Sequence, residues 1–403
     1  MSAPTLYLSP ERKTMLDKGF FAIFSTDPEA YFSAPGRTEV SGNHTDHQRG
    51  RVLAGAVNLD TQAAVRVTGT NLIRIQSQGY PMCQVDLSRL EPEADEINST
   101  PALVRGVAAR FAQLGCKVQG FDAYVESTVL PGSGLSSSAA YEVLIGTIIN
   151  HLFFDGRVSQ PEIAQIGQYA ENVFFGKPCG LMDQTASAVG GLVTIDFADK
   201  DHPVIRPVDF DFSTTGHALC IIDSRADHAD LTDEYAAVTR ELKTVSEFFG
   251  KEVITEIPEE DFYAALPELR KVCTDRAIMR TIHEYNENRR VPRQVEALEK
   301  GNFEEFLRLT KESGFSSWMY LQNVIPLGYV DQQAMAVALG LCEHYLQGRG
   351  AYRVHGGGFA GTVQAFVPMD LLESFRGGID AALGEGACHV LDIRPQGGVK
   401  MEV

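Results

Sequence analysis

A glycine- and serine-rich turn at residues 131–138 constrains this chain more than any other stretch. It lies between an apolar run, residues 123–130, and a helix-like run, residues 143–154. Its glycines permit a tight backbone, and its serines stand at a helix start, where several N–H groups lack intrahelical partners. Such N–H groups and the helix dipole favour anionic oxygens. The turn therefore predicts a polyphosphate site, although a loop that only caps a helix has the same composition.

A polar loop at residues 31–48 is the second informative stretch. Between its glycines it combines basic, amide, imidazole and acidic side chains, namely Arg37, Asn43, His44, Asp46 and His47. Together these groups supply donors and acceptors that can hold the vicinal hydroxyls of a sugar. A solvated loop is the alternative. A metal site at His44 and His47 is a third interpretation, for which two histidines and one aspartate are weak support.

A carboxylate near a helix start is the third feature. The helix that Ser159 opens carries Glu171 outside its apolar face and ends at Gly176. A turn then leads to a short helix that runs through Val189, and Asp183 lies near the start of that helix. The helix dipole stabilises a negative charge there, while a plain helix cap is the alternative function of the residue.

Glycines at 356, 358 and 361 have the spacing of a dinucleotide-binding fingerprint. They lead into the β-favouring residues 363–367, whereas that fingerprint needs a helix after the glycines. We therefore predict a glycine-rich hairpin that closes on a nearby site. The sequence contains neither a P-loop nor the protein-kinase motif set, which excludes those two kinase designs.

The remaining pattern predicts a mixture of strands and helices. Strand-like runs occupy residues 52–59 and 63–67, a helix begins at Pro101, and another covers residues 231–249. Pro292 and Gly301 are predicted to break helices, since proline removes a backbone donor and glycine favours helix ends.

Composition excludes several classes of function. The net charge is −18, from 35 basic and 53 acidic residues, and no run of lysine or arginine offsets it, so nucleic acid and anionic membranes are disfavoured partners. No apolar stretch has membrane-spanning length or the form of a secretory signal. The seven cysteines are dispersed, which predicts reduced thiols in a cytoplasmic protein.

Taken together, the four stretches at 36–46, 131–140, 176–184 and 356–361 resemble the motifs of the GHMP kinase superfamily, and within it those of the galactokinase family. The resemblance runs over residues 31–368. It implies an α/β (α+β) kinase of two domains with the active site in the cleft between them. We expect an N-terminal domain at 1–200 with the sugar signature and the ATP loop. A C-terminal domain at 201–403 would carry the glycine motif at 356–361.

The resemblance also implies roles by position. Asp183 would be the catalytic acid–base residue, with Arg37 as its partner and the stabiliser of the transition state. The implied ATP-binding residues are Gly132, Ser133, Gly134, Leu135, Ser136, Ser137 and Ser138. The implied Mg²⁺ ligands are Ser138 and Glu171. The implied sugar contacts are Asn43, His44, Thr45, Asp46 and Tyr235.

The expected chemistry is ATP-dependent phosphorylation of the anomeric (C1) hydroxyl of galactose. Arg37 and the helix start should lower the pKa of Asp183, which makes it a weak but ionised base. A loose transition state lets the hydroxyl lose its proton late, so a weak base can suffice. A role for Asp183 in orienting the hydroxyl alone is the alternative.

The chain departs from the family pattern at four positions. Asn43 replaces the usual glutamate, His47 the usual tyrosine, His355 a threonine and Ala360 a glycine. Loss of a carboxylate reduces the electrostatic repulsion between the pocket and an anionic sugar. A C1 kinase for galacturonate is therefore an alternative to a galactose kinase. A non-catalytic sugar sensor on the same scaffold is a second alternative. Small molecules are the expected partners, and the sequence leaves the oligomeric state open.

Overall fold

The computed structural model describes residues 5–129, 134–177, 179–200, 202–226 and 231–403. The predicted ATP-binding residues Gly132 and Ser133 therefore lie outside the described residues. Within the described ranges, no helix is long and apolar enough to cross a membrane.

The strands, numbered in chain order, are β1 (Ala30–Ser41), β2 (Arg51–Val67), β3 (Leu72–Ser77), β4 (Cys83–Asp86), β5 (Phe121–Ser127), β6 (Leu192–Asp196), β7 (Val204–Val208), β8 (His217–Asp223), β9 (Ala351–His355), β10 (Thr362–Pro368), β11 (Cys388–Leu391) and β12 (Val399–Met401).

The α-helices are α1 (Pro10–Phe24), α2 (Thr100–Gln113), α3 (Ser137–Phe153), α4 (Gln160–Tyr169), α5 (Met182–Val189), α6 (Thr232–Phe248), α7 (Glu259–Ala264), α8 (Leu266–Val272), α9 (Asp275–Glu299), α10 (Phe303–Ser316), α11 (Ala334–Leu346) and α12 (Leu372–Leu383). π-helical turns continue α4 over Ala170–Phe175 and α10 over Ser317–Leu321.

The chain forms two compact units. Unit 1 comprises Met1–Thr38, Gly55–Gly191 and Arg394–Val403, and unit 2 comprises Glu39–Ala54 and Leu192–Ile393. These bounds differ from the predicted division into 1–200 and 201–403. The last residues return to unit 1 because β12 pairs antiparallel with β1, with Tyr31 opposite Met401. The sugar-signature residues 39–54 join unit 2 because they contact α9 there, as Gly42 N does when it donates to Glu287 Oε1 at 3.2 Å.

Unit 1 is built on a mixed sheet with the order β12-β1-β2-β5-β3-β4. The strand β2 is continuous over Arg51–Val67, whereas the sequence pattern showed two separate strand-like runs there, at 52–59 and 63–67. Its central polar side chains are buried but bonded, since Thr61 Oγ1 lies 2.8 Å from Ser127 Oγ and Gln62 Nε2 donates to Asp60 Oδ2 at 2.9 Å. A buried strand can continue through polar residues when their side chains form hydrogen bonds.

The helix α3 is the central helix of unit 1. Its apolar residues occupy every face, and Val143, Leu144, Ile145, Ile148 and Ile149 are fully buried. A helix that is apolar all round is one that lies inside a core. The core therefore fixes the position of the serine-bearing start of α3, which begins at Ser137 and so six residues earlier than the predicted run.

Unit 2 contains an antiparallel sheet with the order β11-β8-β10-β9. The strands β9 and β10 form a hairpin in which His355 faces Thr362, which confirms the predicted glycine-rich hairpin. The predicted break at Pro292 was wrong, since Pro292 lies inside α9. Val291 and Val295 are buried on either side of it, and this packing outweighs the lost backbone hydrogen bond. Gly301 follows the end of α9, as predicted.

Candidate active site

Arg37 and Asp183 form a bidentate ion pair in unit 1. Arg37 Nε donates to Asp183 Oδ1 at 2.7 Å and Nη2 donates to Oδ2 at 2.5 Å. Arg37 comes from β1 and Asp183 from the first turn of α5, so the predicted place of Asp183 near a helix start is confirmed. The paired oxygens and the planar guanidinium fix the orientation of the carboxylate, which a lysine could not do in the same way.

The pKa of Asp183 is lowered, as the sequence predicts. Burial of the carboxylate raises its pKa, but the charge and hydrogen bonds of Arg37 act against burial and outweigh it. A hydrogen bond from Ser136 and the charge of Lys177 lower the pKa further. Asp183 is therefore ionised at neutral pH and available as a hydrogen-bond acceptor.

The described part of the glycine-serine turn lies against the same arginine. Arg37 Nη1 donates to the carbonyl oxygen of Gly134, and Arg37 N donates to Leu135 O at 2.9 Å. Ser136, which precedes the first turn of α3, has the left-handed φ of 55°. That conformation is uncommon for serine and is found at functional turns. It places Ser137 and Ser138 in the first turn of α3, where backbone N–H groups lack intrahelical partners.

A buried acidic pair lies beside this turn. Gln184 Nε2 donates to Glu171 Oε2 and to Glu142 Oε2, both at 3.0 Å. Lys177 Nζ lies 3.5 Å from Glu171 Oε1. Burial and the charge of Glu171 raise the pKa of Glu142 well above its ordinary value. The sequence reasoning gave Glu142 and Gln184 no role, although Gln184 lies within the stretch 176–184 and Glu142 comes four residues after Ser138.

The donors near Ser138 suit Mg²⁺. A serine hydroxyl and a carboxylate are hard oxygen ligands, and Mg²⁺ typically takes only one or two carboxylates together with substrate phosphates. Glu142 Oε1 is buried without a hydrogen-bond partner, so an unused oxygen lies in the same acidic group. No group of three histidine, cysteine or acidic side chains in the described ranges is arranged for a metal. The chemistry of these oxygen donors therefore fits a Mg²⁺ ion that shares its shell with phosphates.

The sugar-signature loop belongs to unit 2, and its Asn43 is fully buried. Asn43 Nδ2 donates to Glu39 Oε1 at 3.1 Å and to Gly356 O at 2.5 Å. Asn43 Oδ1 accepts from Asn323 Nδ2 at 2.9 Å and from Ser317 Oγ at 3.4 Å. Protein partners thus use both donors and the acceptor of this side chain.

Three predicted sugar contacts hold three consecutive carbonyl groups of the glycine turn. Asn43 donates to Gly356 O, His44 Nε2 to Gly357 O at 3.0 Å, and Tyr235 Oη to Gly358 O at 2.8 Å. Since a carbonyl oxygen only accepts, Nε2 of His44 carries the hydrogen. Burial lowers the pKa of His44 to about 4, so the imidazole is neutral. These side chains clamp the turn between β9 and β10.

Close backbone approach explains the glycines of this turn. A Cβ atom at Gly358, whose φ is 80°, would lie 2.2 Å from Asn323 O. A Cβ atom at Gly357 would lie 2.6 Å from Tyr235 Cε1. Larger residues at either position would displace the clamp.

The other two predicted sugar contacts lie in the adjoining turn. Thr45 Oγ1 donates to Arg51 O at 2.6 Å and lies 3.0 Å from Gly42 O, so this hydroxyl braces the loop. Asp46 Oδ1 accepts from His47 N at 2.9 Å. The Asp46 side chain is 14 % exposed, unlike the buried Asn43, so it can reach a ligand.

Two of the four departures from the family pattern contact one residue, Glu39. Asn43 donates to its carboxylate, and His355 Nε2 accepts from Glu39 N at 3.2 Å. The fully buried Arg353 donates to Glu39 O at 3.1 Å and forms an ion pair with its carboxylate. A glutamate at 43 would place a second carboxylate beside Glu39, so Glu39 explains why asparagine stands there. Sequence reasoning missed Glu39, although it lies inside the polar loop.

Side chains of the helix α9 support the signature loop. His283 Nε2 donates to Asn43 O at 2.9 Å, and Glu287 Oε1 accepts from Ser313 Oγ at 2.7 Å. Glu284 on the same helix is buried, and neither of its carboxylate oxygens has a hydrogen-bond partner. Burial, followed by the charges of Asp46 and Glu287, raises its pKa well above the ordinary value. No motif marks these residues, so only the tertiary structure identifies them.

Comparison with known proteins identifies the class that this fold and site define. The GHMP kinases N terminal domain matches residues 102–191, which contain the serine turn and Asp183. The galactokinase galactose-binding signature matches residues 18–67, which contain Arg37 and the signature loop.

The similar proteins agree. The chain is 32 % identical to a galactokinase from Glaesserella parasuis over 85 % of this chain and 86 % of the relative. It is 30 % identical to a galactokinase from Streptomyces coelicolor over 94 % of this chain and 96 % of the relative. The solved Lactococcus lactis galactokinase complexed with galactose has a TM-score of 0.79 at 25 % identity and covers 96 % of this chain and 99 % of its own. A Methanococcus jannaschii mevalonate kinase shares the fold, with a TM-score of 0.61 at 13 % identity. The match covers 90 % of this chain and 98 % of the mevalonate kinase.

The fold and the family models define a GHMP kinase. Within that class the chain belongs to the galactokinase family, as its motifs predict. It is therefore a phosphotransferase with an alcohol group as acceptor.

Proposed function

We propose that the protein transfers the γ-phosphoryl group of ATP to the anomeric C1 hydroxyl of galactose, which gives galactose 1-phosphate. The observation that carries this proposal is the bidentate pair between Arg37 and Asp183, which provides an oriented, ionised carboxylate beside the phosphate-binding turn. Membership of the family and the similarity to a structure complexed with galactose support the choice of sugar.

In this mechanism Asp183 accepts the proton of the C1 hydroxyl as the hydroxyl oxygen bonds to the γ-phosphorus, while the bond from that phosphorus to the β,γ-bridging oxygen breaks and ADP leaves. The low pKa of Asp183 makes it a weak base. A loose transition state leaves the proton on the hydroxyl until late, so positioning matters more than basicity. Arg37 holds the carboxylate in place and adds positive charge near the transferring group. After transfer, Asp183 releases the proton to solvent.

Unit 1 would bind the nucleotide. The residues from Gly132 to Ser138 would surround the triphosphate with backbone N–H groups and the positive end of α3. Ser138 and Glu171 would hold Mg²⁺, which would supply positive charge to the phosphate oxygens. Gln184 would orient Glu171 through the 3.0 Å hydrogen bond to Oε2.

Unit 2 would bind the sugar through Asn43, His44, Thr45, Asp46 and Tyr235. The contacts of these residues suggest a division of roles. Asp46 would accept hydrogen bonds from sugar hydroxyls directly, because its carboxylate is partly exposed. Asn43, His44 and Tyr235 would shape the pocket through the glycine turn that they hold.

The location of the protein is a separate point. All seven cysteines are free thiols, which supports a cytoplasmic location.

A substrate screen tests the proposal. ADP release would be measured with galactose, galacturonate, glucuronate, N-acetylgalactosamine and arabinose at the same concentration. We expect galactose to give the highest kcat/KM, and NMR of the product to place the phosphate on C1. Turnover of galacturonate without turnover of galactose would contradict the proposal. Sugar binding by calorimetry without any sugar-dependent ADP release would instead indicate a sensor.

A further inference from the structure

A cavity of about 560 Å³ lies in unit 2, apart from the residues proposed to bind sugar and phosphate. Its walls come from α10 with the following π-helical turn, from α11, and from residues 348–352. Small-molecule sites typically measure about 300–1,000 Å³. The cavity is therefore large enough for a compact ligand.

The lining is mostly apolar and aromatic. Phe315, Trp318 and Met319 are 57 %, 45 % and 49 % exposed, and all three line the cavity together with Tyr352 and the buried Leu346. Large apolar side chains grouped in solvent usually mark a binding surface. Flat aromatic walls favour a planar aromatic ligand, because rings gain from stacked or edge-to-face contact.

The charged groups in the lining favour a ligand without net charge. Arg349 is neutralised by a bidentate pair with Asp370, at 2.7 and 2.6 Å. Lys311 Nζ donates to Gly348 O at 3.1 Å, and Glu343 carries the opposite charge. A charged ligand would lose hydration here without meeting an excess of opposite charge. A neutral molecule with a donor and an acceptor on one edge could use both Lys311 and Glu343.

The cavity shares its wall with the network that holds the sugar signature. Trp318 and Met319 belong to the π-helical turn Ser317–Leu321. Their neighbour Ser317 is fully buried and donates to Asn43 Oδ1 at 3.4 Å. π-helical segments are rare and frequently lie at functional sites. The same π-helical turn therefore lines the cavity and contacts Asn43 of the signature loop.

Two further pairs of adjacent residues repeat this arrangement. Tyr352 lines the cavity, and its neighbour Arg353 forms the buried ion pair with Glu39. Gly314 also lines the cavity, and its neighbour Ser313 donates to Glu287. A ligand that shifts this wall would therefore shift groups that support the signature loop.

We propose that this cavity is a second ligand site, which takes an uncharged aromatic molecule with a hydrogen-bonding edge and changes the affinity for the sugar. The proposal goes beyond the proposed function, which uses none of these lining residues as a contact to substrate. Its first test needs no turnover, so the two can fail separately.

Fluorescence provides that first test, because Trp318 is the one tryptophan in the sequence. The probe is 2-naphthol, an uncharged planar molecule with one hydroxyl group. The test variant is Gly340→Leu, since Gly340 lines the cavity and nothing lies within 4 Å of a Cβ atom there. The matched control is Gly377→Leu on α12. Nothing lies within 4 Å of a Cβ atom at Gly377 either, but this residue does not line the cavity. We expect saturable quenching in the wild type and the control, and binding at least about tenfold weaker in Gly340→Leu.

The second test measures coupling. At saturating 2-naphthol, we expect the galactose KM of the wild type and of Gly377→Leu to change by about fivefold or more, and that of Gly340→Leu to stay constant. Equal quenching in both glycine variants, or no quenching at all, would overturn the proposed site. Saturable quenching with an unchanged KM, or with unchanged sugar binding by calorimetry, would overturn the coupling.

Discussion

The candidate functional residues of unit 1 and those of unit 2 are held in place differently. In unit 1, Arg37 and Asp183 form a charged pair whose geometry depends on a few contacts at the starts of α3 and α5. In unit 2, the sugar-signature residues belong to a buried polar network that includes Glu39, Arg353 and α9. The substitutions Asp183→Asn and Arg37→Lys keep the size of each side chain and part of its hydrogen bonding, whereas a carboxylate added to the buried network of unit 2 meets polar groups that are already fixed. Substitutions in unit 1 should therefore affect the rate, and those in unit 2 the stability.

The largest effect is expected from Asp183→Asn. The amide keeps the shape of the side chain but cannot take the hydroxyl proton, so kcat should fall more than about a hundredfold. Stopped assays of ADP release would measure the rate, and circular dichroism with thermal unfolding would check the fold. A folded variant that keeps more than about a hundredth of the wild-type rate would show that Asp183 only orients the hydroxyl.

The next effect concerns unit 2. Asn43→Glu should lower the free energy of unfolding by about 2–4 kcal/mol, because the new carboxylate meets Glu39 and the carbonyl of Gly356 in a buried place. Denaturant unfolding would measure the loss. If the contact between positions 39 and 43 causes it, the double variant Glu39→Gln with Asn43→Glu should be less destabilised than the sum of the single variants. Additive losses would contradict that cause.

A smaller effect is expected from Arg37→Lys. Lysine keeps the charge but loses the two-point contact, so kcat should fall about tenfold or more while the galactose KM changes little. Loss of the paired hydrogen bonds should also raise the pKa of Asp183. Activity should then disappear at a higher pH than in the wild type as the solution is acidified. Unchanged acid limbs of the pH–rate profiles would argue against the ion pair as the cause.

The smallest effect is expected from Glu284→Gln. Burial raises the pKa of Glu284 in the folded state, so the unfolded chain releases this proton first as the pH rises, and stability falls above the unfolded pKa. Glutamine does not titrate. The melting temperature of the variant relative to the wild type should therefore increase from pH 4 to pH 8. Glu287→Gln is the control, since the pKa of Glu287 is about 2 and its removal should cost stability at neutral pH. A constant difference for Glu284→Gln would contradict a raised pKa.

The sequence predicts the functional residues of unit 1 better than those of unit 2. The motif around Asp183 can be recognised in the sequence, because its helix start and its glycines are neighbours along the chain. The network around Asn43 does not, since its partners His283 and Asn323 lie 240 and 280 residues away. Local rules of turn and helix chemistry act over a few residues, and they contain no information about such partners. The continuous helix through Pro292 and the continuous strand β2 show the same limit, because packing decided both.

The sequence by itself determined the family, the mixed α/β class and the identity of the paired arginine and aspartate, because these depend on short motifs whose order and spacing are visible. Only the tertiary structure decided that Asn43 is enclosed by protein partners, that two departures from the family pattern contact Glu39, and that Trp318 lines a cavity. The physical reason is that burial and long-range hydrogen bonds arise when distant segments pack together.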